Sequence, residues 1–164
     1  MHILFVDDNQ VWQRIALVKL PQIGCTVAVA GDGQQALDYL AAPPEQCPRA
    51  DLIMMDIAMP ILDGLEATRI LRTEAPFATD PKLSSTPIVG LCTTSLAADH
   101  RRFMAQGMDD IIVKPWKVEQ VQQVVRWWAQ RRVVPRVNGV QQRYAMQPGW
   151  GHPLGVYRGP RSRM

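Results

Sequence analysis

The sequence predicts an α/β fold in which a parallel sheet is covered by helices on both faces. Five short apolar runs alternate along the chain with five helical patterns. The runs are too short for most helices and are bounded by turn residues, as is typical of strands buried on both faces. Strict alternation of this kind implies parallel strands joined by helical crossovers. A chain of 164 residues has room for one such domain and an appendage.

The first half of the chain contains three of the predicted strands. They span residues 3–6, 25–30 and 52–56. Asn9 is placed to cap a first helix from Gln10, and Pro21 and Gly24 end it. A second helix is predicted from about residue 34 to 42, before a loop rich in proline.

The second half repeats this alternation with a longer interruption. The remaining elements are a helix from 64 to 73, a strand from 87 to 92, a helix from 95 to 106, a strand from 110 to 113 and a helix from 117 to 130. Ser95 is the predicted cap of the second of these helices, and Gly107 ends it. The polar stretch from Glu74 to Thr86 exceeds the usual loop length, so we expect it to be the most mobile part of the domain.

Composition places the chain among intracellular proteins without a membrane span. No apolar run approaches the roughly 20 residues that cross a bilayer, and the chain enters a strand at once, without a signal-peptide pattern. The three cysteines, Cys25, Cys47 and Cys92, are far apart and lack metal-ligand spacing. This pattern favours a reducing compartment over a disulfide framework.

The basic pI conceals an uneven distribution of charge. Residues 1–119 contain all 15 acidic residues and 10 of the 18 basic ones, a net charge of −5. We therefore divide the chain into a domain at 1–131 and a basic tail at 132–164 that is rich in Pro and Gly. The tail lacks periodicity, so we expect it to be disordered or to act as a docking arm. Because the compact part is acidic, nucleic acid is not the partner that the pI alone would indicate.

Polar residues follow the predicted strands where the strands end. Asp7 and Asp8 follow the first, Asp56 ends the third, and Lys114 follows the fifth. In a parallel sheet these ends lie at one edge, so the three carboxylates would repel one another unless a cation joins them. Oxygen ligands with room for water suit Mg²⁺. Asp56 would then be a carboxylate nucleophile able to form an acyl phosphate, and Lys114 would hold an anion bound beside it.

With these residues at the strand ends, the chain resembles the receiver domain of two-component response regulators over roughly residues 1–131. The motifs that carry the resemblance are Val6-Asp7-Asp8-Asn9, Asp56-Ile57-Ala58-Met59-Pro60-Ile61-Leu62-Asp63-Gly64, Pro87-Ile88-Val89-Gly90-Leu91, Gly107-Met108-Asp109-Asp110 and Lys114-Pro115. The amino-acid sequences of these motifs are most similar to those of receivers in hybrid histidine kinases and phosphorelays. The resemblance implies a flavodoxin-like, doubly wound (βα)5 fold with strand order 2-1-3-4-5.

The resemblance also implies a role for each polar residue at the carboxyl ends of the predicted strands. Asp56 would accept a phosphoryl group from a phosphohistidine, and Lys114, with a cis peptide bond before Pro115, would pair with the phosphoryl oxygens. Mg²⁺ would be held by Asp8, Asp56 and the backbone carbonyl of Ala58, with Asp7 acting through water. The protein would thus be a phosphoacceptor that promotes its own phosphorylation and dephosphorylation rather than a dedicated enzyme.

Two positions depart from the family pattern. Cys92 stands where a Ser or Thr normally donates to the phosphoryl group, and a thiol is a poorer donor. Thr93 or Thr94 could take over if the strand end shifts, although alternation points Thr93 away. Ile111 stands where an aromatic switch residue is expected. These departures leave open a pseudo-receiver, which is a protein-interaction module that keeps the fold without the switch.

The partners implied are a histidine kinase or histidine phosphotransfer protein as donor, and an output protein. The output surface would be formed by predicted helix 4 (95–106), strand 5 (110–113) and helix 5 (117–130), where Trp127 is the more exposed of two adjacent tryptophans. A homodimer is a further option, and the expected location is the cytoplasm, or the nucleus in a eukaryote. An aspartyl phosphohydrolase of another α/β family is a weaker rival, because Ala58 stands where its general acid would be.

Overall fold

The computed structural model describes residues 1–130, and the tail predicted at 132–164 lies outside them. Five strands form one parallel sheet in the order β2-β1-β3-β4-β5. They are β1 (His2–Val6), β2 (Thr26–Ala30), β3 (Leu52–Asp56), β4 (Ile88–Cys92) and β5 (Asp110–Val113). The predicted fold class and strand order are therefore confirmed.

Six helices connect or follow the strands in this part of the chain. They are α1 (Gln10–Lys19), α2 (Gly33–Ala41), α3 (Gly64–Thr73), α4 (Pro81–Ser85), α5 (Ala97–Ala105) and α6 (Val118–Ala129). A short 3₁₀ turn at Pro21–Ile23 separates α1 from β2. The helices predicted as 4 and 5 are α5 and α6, because the short helix α4 precedes them.

The sheet separates two apolar cores. On one face, α1 and α6 cover it with side chains such as Ala16, Val121 and Trp128. On the other face, α2, α3 and α5 contribute side chains such as Leu37, Leu71 and Phe103. All five residues of β3 are buried, since this strand is central in the sheet and is covered on both faces.

Helix caps follow the predicted chemistry at α1 and differ from it at α5. The Asn9 side chain accepts a hydrogen bond from the Val11 amide at 2.9 Å and so caps α1 as predicted. At α5 the N-cap residue is Leu96, which has no capping side chain, so the prediction that Ser95 caps this helix is wrong. The Thr94 hydroxyl accepts from the Leu96 amide instead, at 3.2 Å.

The long stretch before β4 is held in place by the domain. Residues 81–85 form α4, capped by the Asp80 side chain, where we predicted a mobile loop. The Arg72 guanidinium reaches across from α3 and donates to the carbonyls of Ser84 and Thr86 at 3.0 and 2.9 Å. It also forms a buried ion pair of 2.8 Å with Asp109, so one side chain fastens α4 to the loop that precedes β5.

Candidate functional site

The carboxyl ends of β1, β3 and β5 bring three carboxylates and one lysine together. Asp7, Asp8 and Asp56 each place an oxygen within 4.8 Å of the others. Lys114 Nζ lies 2.8 Å from an oxygen of Asp7 and 2.8 Å from an oxygen of Asp56. The four residues that the sequence places at one edge therefore meet there.

Hydrogen bonds from the first βα turn fix Asp7. One oxygen of its carboxylate accepts from the Asn9 amide at 3.0 Å, and the Gln13 side chain donates to the Asp7 carbonyl at 2.7 Å. Asp7 is fully buried, whereas Asp8 is exposed. The cluster thus has a rigid inner member and an outer member that faces solvent.

The charges of the cluster do not balance. At the separation found here, two carboxylates such as Asp7 and Asp56 repel by about 3 kcal/mol for an effective dielectric constant near 20. Burial raises the pKa of Asp56, and the charge of Asp7 adds to this effect against the opposing hydrogen bond from Lys114. For Lys114, burial alone would lower the pKa, but its hydrogen bonds to Asp56 and Asp7 outweigh burial and raise it. The lysine therefore stays charged, and one positive charge faces three carboxylates.

This arrangement fits a small, hard cation. The donor set is oxygen only, it is crowded within a few ångströms, and one member is open to solvent. Mg²⁺ takes one or two carboxylates and keeps several waters, which suits a cluster with an exposed edge. A divalent ion would also offset the negative charge that Lys114 leaves uncompensated.

A cleft of about 270 Å³ opens beside Asp56. Its walls come from the ends of β3, β4 and β5 and from α5. They comprise Asp56, Ile57, Ala58, Cys92, Thr93, Thr94, Phe103 and Lys114. The cleft therefore adjoins the Asp56 carboxylate, the lysine and the backbone of Ala58, and it has room for a tetrahedral anion.

The β3–α3 junction is shaped by close backbone contact. A Cβ atom at Gly64 would overlap the Asp56 carbonyl oxygen, and the Gly64 amide donates to the Ile57 carbonyl at 3.0 Å. Ile61 has a positive φ of 67° and an exposed fraction of 84%, within a tight turn in which the Leu62 amide donates to the Pro60 carbonyl at 2.8 Å. Such a backbone is strained for a β-branched residue.

The two departures from the family pattern stand at the positions predicted for them. Cys92 ends β4, is buried and lines the cleft, and its S–H donates to the Thr94 carbonyl at 3.2 Å. Burial raises the pKa of the Cys92 thiol, so the thiol is neutral. Thr93 is exposed at the rim of the cleft. Ile111 is buried in the core beneath Gly90.

Sequence reasoning missed the contribution of α5. Phe103 lines the cleft, and His100 contacts Thr94 and Cys92 at its rim. No motif marks these residues, because their role arises from the way α5 packs against the end of β4. The cis peptide bond at Lys114–Pro115, by contrast, is found where it was predicted.

The fold and the cleft define a class of doubly wound α/β domains with an acidic, lysine-bearing site at the carboxyl edge of the sheet. The chain belongs to the response regulator receiver domain family, whose members it matches over residues 3–126. In the described residues no helix has the length and apolar character needed to cross a membrane.

Similar proteins include receivers within much longer chains. The chain is 34% identical over 124 residues to Hybrid signal transduction histidine kinase K of Dictyostelium discoideum, covering 75% of this chain and 10% of that protein. It is 31% identical over 132 residues to Transcription factor SKN7 of Saccharomyces cerevisiae, covering 80% of this chain and 19% of that protein. This chain thus spans a fifth or less of these two relatives.

A solved structure supports the assignment of the fold. The receiver domain of sensor histidine kinase PA1611 from Pseudomonas aeruginosa is similar with a TM-score of 0.64 and 31% identity, covering 77% of this chain and 95% of that chain. That structure is described with a magnesium ion coordinated in its active site cleft.

Proposed function

We propose that this receiver domain accepts a phosphoryl group on Asp56 from a phosphohistidine, with Mg²⁺, and thereby changes its binding to a protein partner. The observation that carries the proposal is the contact of Lys114 Nζ with both Asp7 and Asp56 at 2.8 Å beside a cleft of about 270 Å³. The acceptor, a cation to hold the transferred oxygens and a space for them lie side by side. Phosphoryl transfer requires mainly such positioning and neutralisation of charge.

In the transfer step, a carboxylate oxygen of Asp56 forms a bond to phosphorus while the bond between phosphorus and the donor imidazole nitrogen breaks. The electron pair of that bond stays on the nitrogen, and the product is an acyl phosphate on Asp56. Asp7, Asp8, Asp56 and the Ala58 carbonyl would hold Mg²⁺, which when bound neutralises charge on the phosphoryl oxygens. Lys114 pairs with the same oxygens, and burial of Asp56 limits access of water to the product.

The mouth of the cleft suits a macromolecular donor. The exposed large apolar side chains of the described residues are Val11, Leu17, Val18, Ile61 and Leu96. Val11, Ile61 and Leu96 stand on α1 and on two βα loops, all at the carboxyl edge of the sheet. Exposed apolar groups around a polar cleft are typical of a protein interface, so we assign this surface to a histidine kinase or histidine phosphotransfer protein.

The output partner is assigned to the surface of α5, β5 and α6. On α6, Trp128 is buried and Trp127 is half-buried within the same core. Partner binding there would be altered through α5, whose Phe103 lines the cleft. A homodimer through this surface and a cytoplasmic or nuclear location belong to the same proposal.

The proposal is tested with a phosphorylated histidine phosphotransfer protein carrying ³²P. We expect the full chain to take up label in the presence of Mg²⁺, and both EDTA and Asp56→Asn to abolish uptake. The matched control is Asp38→Asn, which alters an exposed carboxylate on α2. Label that persists in Asp56→Asn would show that another residue is the acceptor.

The pseudo-receiver is the second candidate, and Cys92 and Ile111 are the observations that favour it. Tryptophan fluorescence separates the two, because Trp12 and Trp116 lie with ring centroids 5.6 Å apart, and Trp116 follows Lys114-Pro115. For a phosphoacceptor, fluorescence should respond to Mg²⁺ and again to beryllofluoride, a phosphoryl analogue. A response to Mg²⁺ alone, together with a lack of label uptake, would establish the pseudo-receiver.

A further inference from the structure

One carbonyl group, that of Thr94, accepts hydrogen bonds from both sides of the cleft wall between β4 and α5. The Thr94 carbonyl oxygen accepts a hydrogen bond from Cys92 Sγ at 3.2 Å and another from His100 Nε2 at 2.9 Å. Since a carbonyl only accepts, His100 carries its proton on Nε2. Both acceptor positions of this oxygen are used, one by the strand end and one by the helix.

Neighbouring side chains of α5 reinforce this contact. The Thr94 hydroxyl donates to an Asp99 carboxylate oxygen at 2.9 Å and accepts from the Leu96 amide at 3.2 Å. Phe103, less than a turn after His100, lines the cleft, and the two rings have centroids 6.4 Å apart. The rim of the cleft is therefore attached to the first turns of α5.

Of the two donors to the Thr94 carbonyl, His100 is the stronger. A thiol is a weak donor, whereas the imidazole N–H lies 2.9 Å from the carbonyl oxygen, the ordinary distance of a good N–H···O hydrogen bond. Without His100 the Thr94 carbonyl would keep only the Cys92 thiol as a donor, and the Cys92 side chain would be less restricted. Cys92 lies in the cleft beside Asp56, so its orientation affects the space in which a phosphoryl group is placed.

We propose that His100 is a positioning residue for phosphoryl transfer at Asp56. It acts through the Thr94 carbonyl, which it holds in place, and thereby fixes the Cys92 side chain and the β4–α5 wall of the cleft. This inference rests on the proposed function. Transfer rates fall steeply when the reacting groups are displaced by about an ångström, so loosening this wall should slow the reaction, whereas the carboxylates of Asp7, Asp8 and Asp56 keep their positions for metal binding.

The test compares His100→Ala with His100→Gln in the full chain. Alanine removes the donor and favours the helix, whereas the glutamine amide can still donate to the Thr94 carbonyl. The readouts are Mg²⁺ affinity from tryptophan fluorescence, and kcat and KM for phosphorylation by acetyl phosphate. We expect His100→Ala to lower kcat about three- to tenfold, the range that loss of one hydrogen bond gives. Mg²⁺ affinity and KM should stay near wild type, and His100→Gln should recover kcat to within about twofold.

His2→Ala is the matched control, since His2 also forms two side-chain hydrogen bonds, at 2.8 Å each, but contacts Thr26 and Tyr39 away from the cleft. It should lower stability and leave kcat unchanged. Wild-type kcat in His100→Ala, or an equal loss of kcat in His2→Ala, would overturn the inference.

A second experiment examines the wild-type protein. ¹⁵N NMR of the His100 imidazole should show the tautomer protonated on Nε2, and the tautomer protonated on Nδ1 would also overturn the inference. Absence of phosphorylation of the wild type by both acetyl phosphate and the phosphorylated histidine phosphotransfer protein would overturn the proposed function itself, before any His100 variant is considered.

Discussion

At the scale of the residue, Asp56 shows how a reactive group is maintained at a cost in stability. Its side chain is 9% exposed and shares one lysine with Asp7. Because burial raises its pKa, the charged form is less favourable in the folded protein than in the unfolded chain. The protonated form of Asp56 is the one that favours the folded protein. Its contribution to stability is fully present below the pKa of Asp56 in the unfolded chain and is lost as pH rises through the pKa of Asp56 in the folded protein. At neutral pH the charged Asp56 therefore destabilises the fold.

Asp56→Asn should accordingly stabilise the protein when Mg²⁺ is absent. The amide removes the buried charge and still accepts a hydrogen bond from Lys114, which retains Asp7 as a charged partner. We expect a gain in the free energy of unfolding in EDTA at pH 7, because the raised pKa of Asp56 reflects the cost of its buried charge, and urea unfolding followed by tryptophan fluorescence measures it. Glu45→Gln, at an exposed carboxylate, is the control and should have little effect. A loss of stability in Asp56→Asn would mean that its ion pair with Lys114 outweighs the cost of burial.

Ile61 is strained and exposed at the mouth of the cleft, which is unfavourable for folding and favours a role in binding. Ile61→Asn should relieve the left-handed backbone and stabilise the protein by about 1 kcal/mol, while slowing transfer from a histidine phosphotransfer protein. Ile61→Thr is the control, because threonine is also β-branched and keeps the strain while its hydroxyl reduces the apolar contact. It should slow transfer and leave stability unchanged. Unchanged transfer in both variants would remove Ile61 from the donor surface.

At the scale of the element, the β3–α3 junction depends on the absence of a side chain at Gly64. Gly64→Ala would push the start of α3 away from the Asp56 carbonyl. We expect a loss of about 3 kcal/mol, at the upper end for overpacking, together with weaker Mg²⁺ binding as the Ile57–Ala58 backbone shifts. Gly31→Ala is the matched control, since a Cβ there meets the flexible Gln35 side chain at 3.3 Å. Wild-type stability in Gly64→Ala would show that α3 can move without cost.

Elements with a strong periodic pattern were predictable, and those that depend on distant contacts were not. β3 and α3 lie at the predicted residues, because a buried apolar run and an amphipathic pattern are properties of the local sequence. The short helix α4 was missed although Asp80 and Pro81 are a local start signal, because five residues are too few to show a periodic pattern and the Ser84 carbonyl is held by Arg72, 12 residues away in sequence. Such a contact has no local signal.

The same distinction applies to the site. Asp7, Asp8, Asp56 and Lys114 could be found because each follows a strand, and parallel strands bring their carboxyl ends to one edge. The contribution of His100 and Phe103 could not be found, because it depends on the angle at which α5 meets β4. The rim of the cleft is therefore the part of the site that only the structure identifies.

At the scale of the whole molecule, charge and apolar exposure are concentrated at the same edge of the sheet. The acidic cluster lies there, and Val11, Ile61 and Leu96 surround it. At the opposite edge, Arg72 and Asp109 form a buried ion pair of 2.8 Å. The carboxyl edge of the sheet therefore carries negative charge that a bound cation would offset, beside apolar side chains that a protein partner would cover.

Binding of Mg²⁺ to this edge should therefore stabilise the entire domain, because an ion that binds only the folded state shifts the unfolding equilibrium. At ten times its dissociation constant the gain should be about 1.4 kcal/mol, which raises Tm by about 4 °C for a chain of this size. Differential scanning calorimetry of the full chain in MgCl₂, against NaCl of equal ionic strength, measures the shift. Asp8→Asn removes the exposed carboxylate of the cluster and should lose most of it, whereas Glu45→Gln should keep it. An equal rise in NaCl would mean that general screening, rather than a bound divalent ion, relieves the repulsion among Asp7, Asp8 and Asp56.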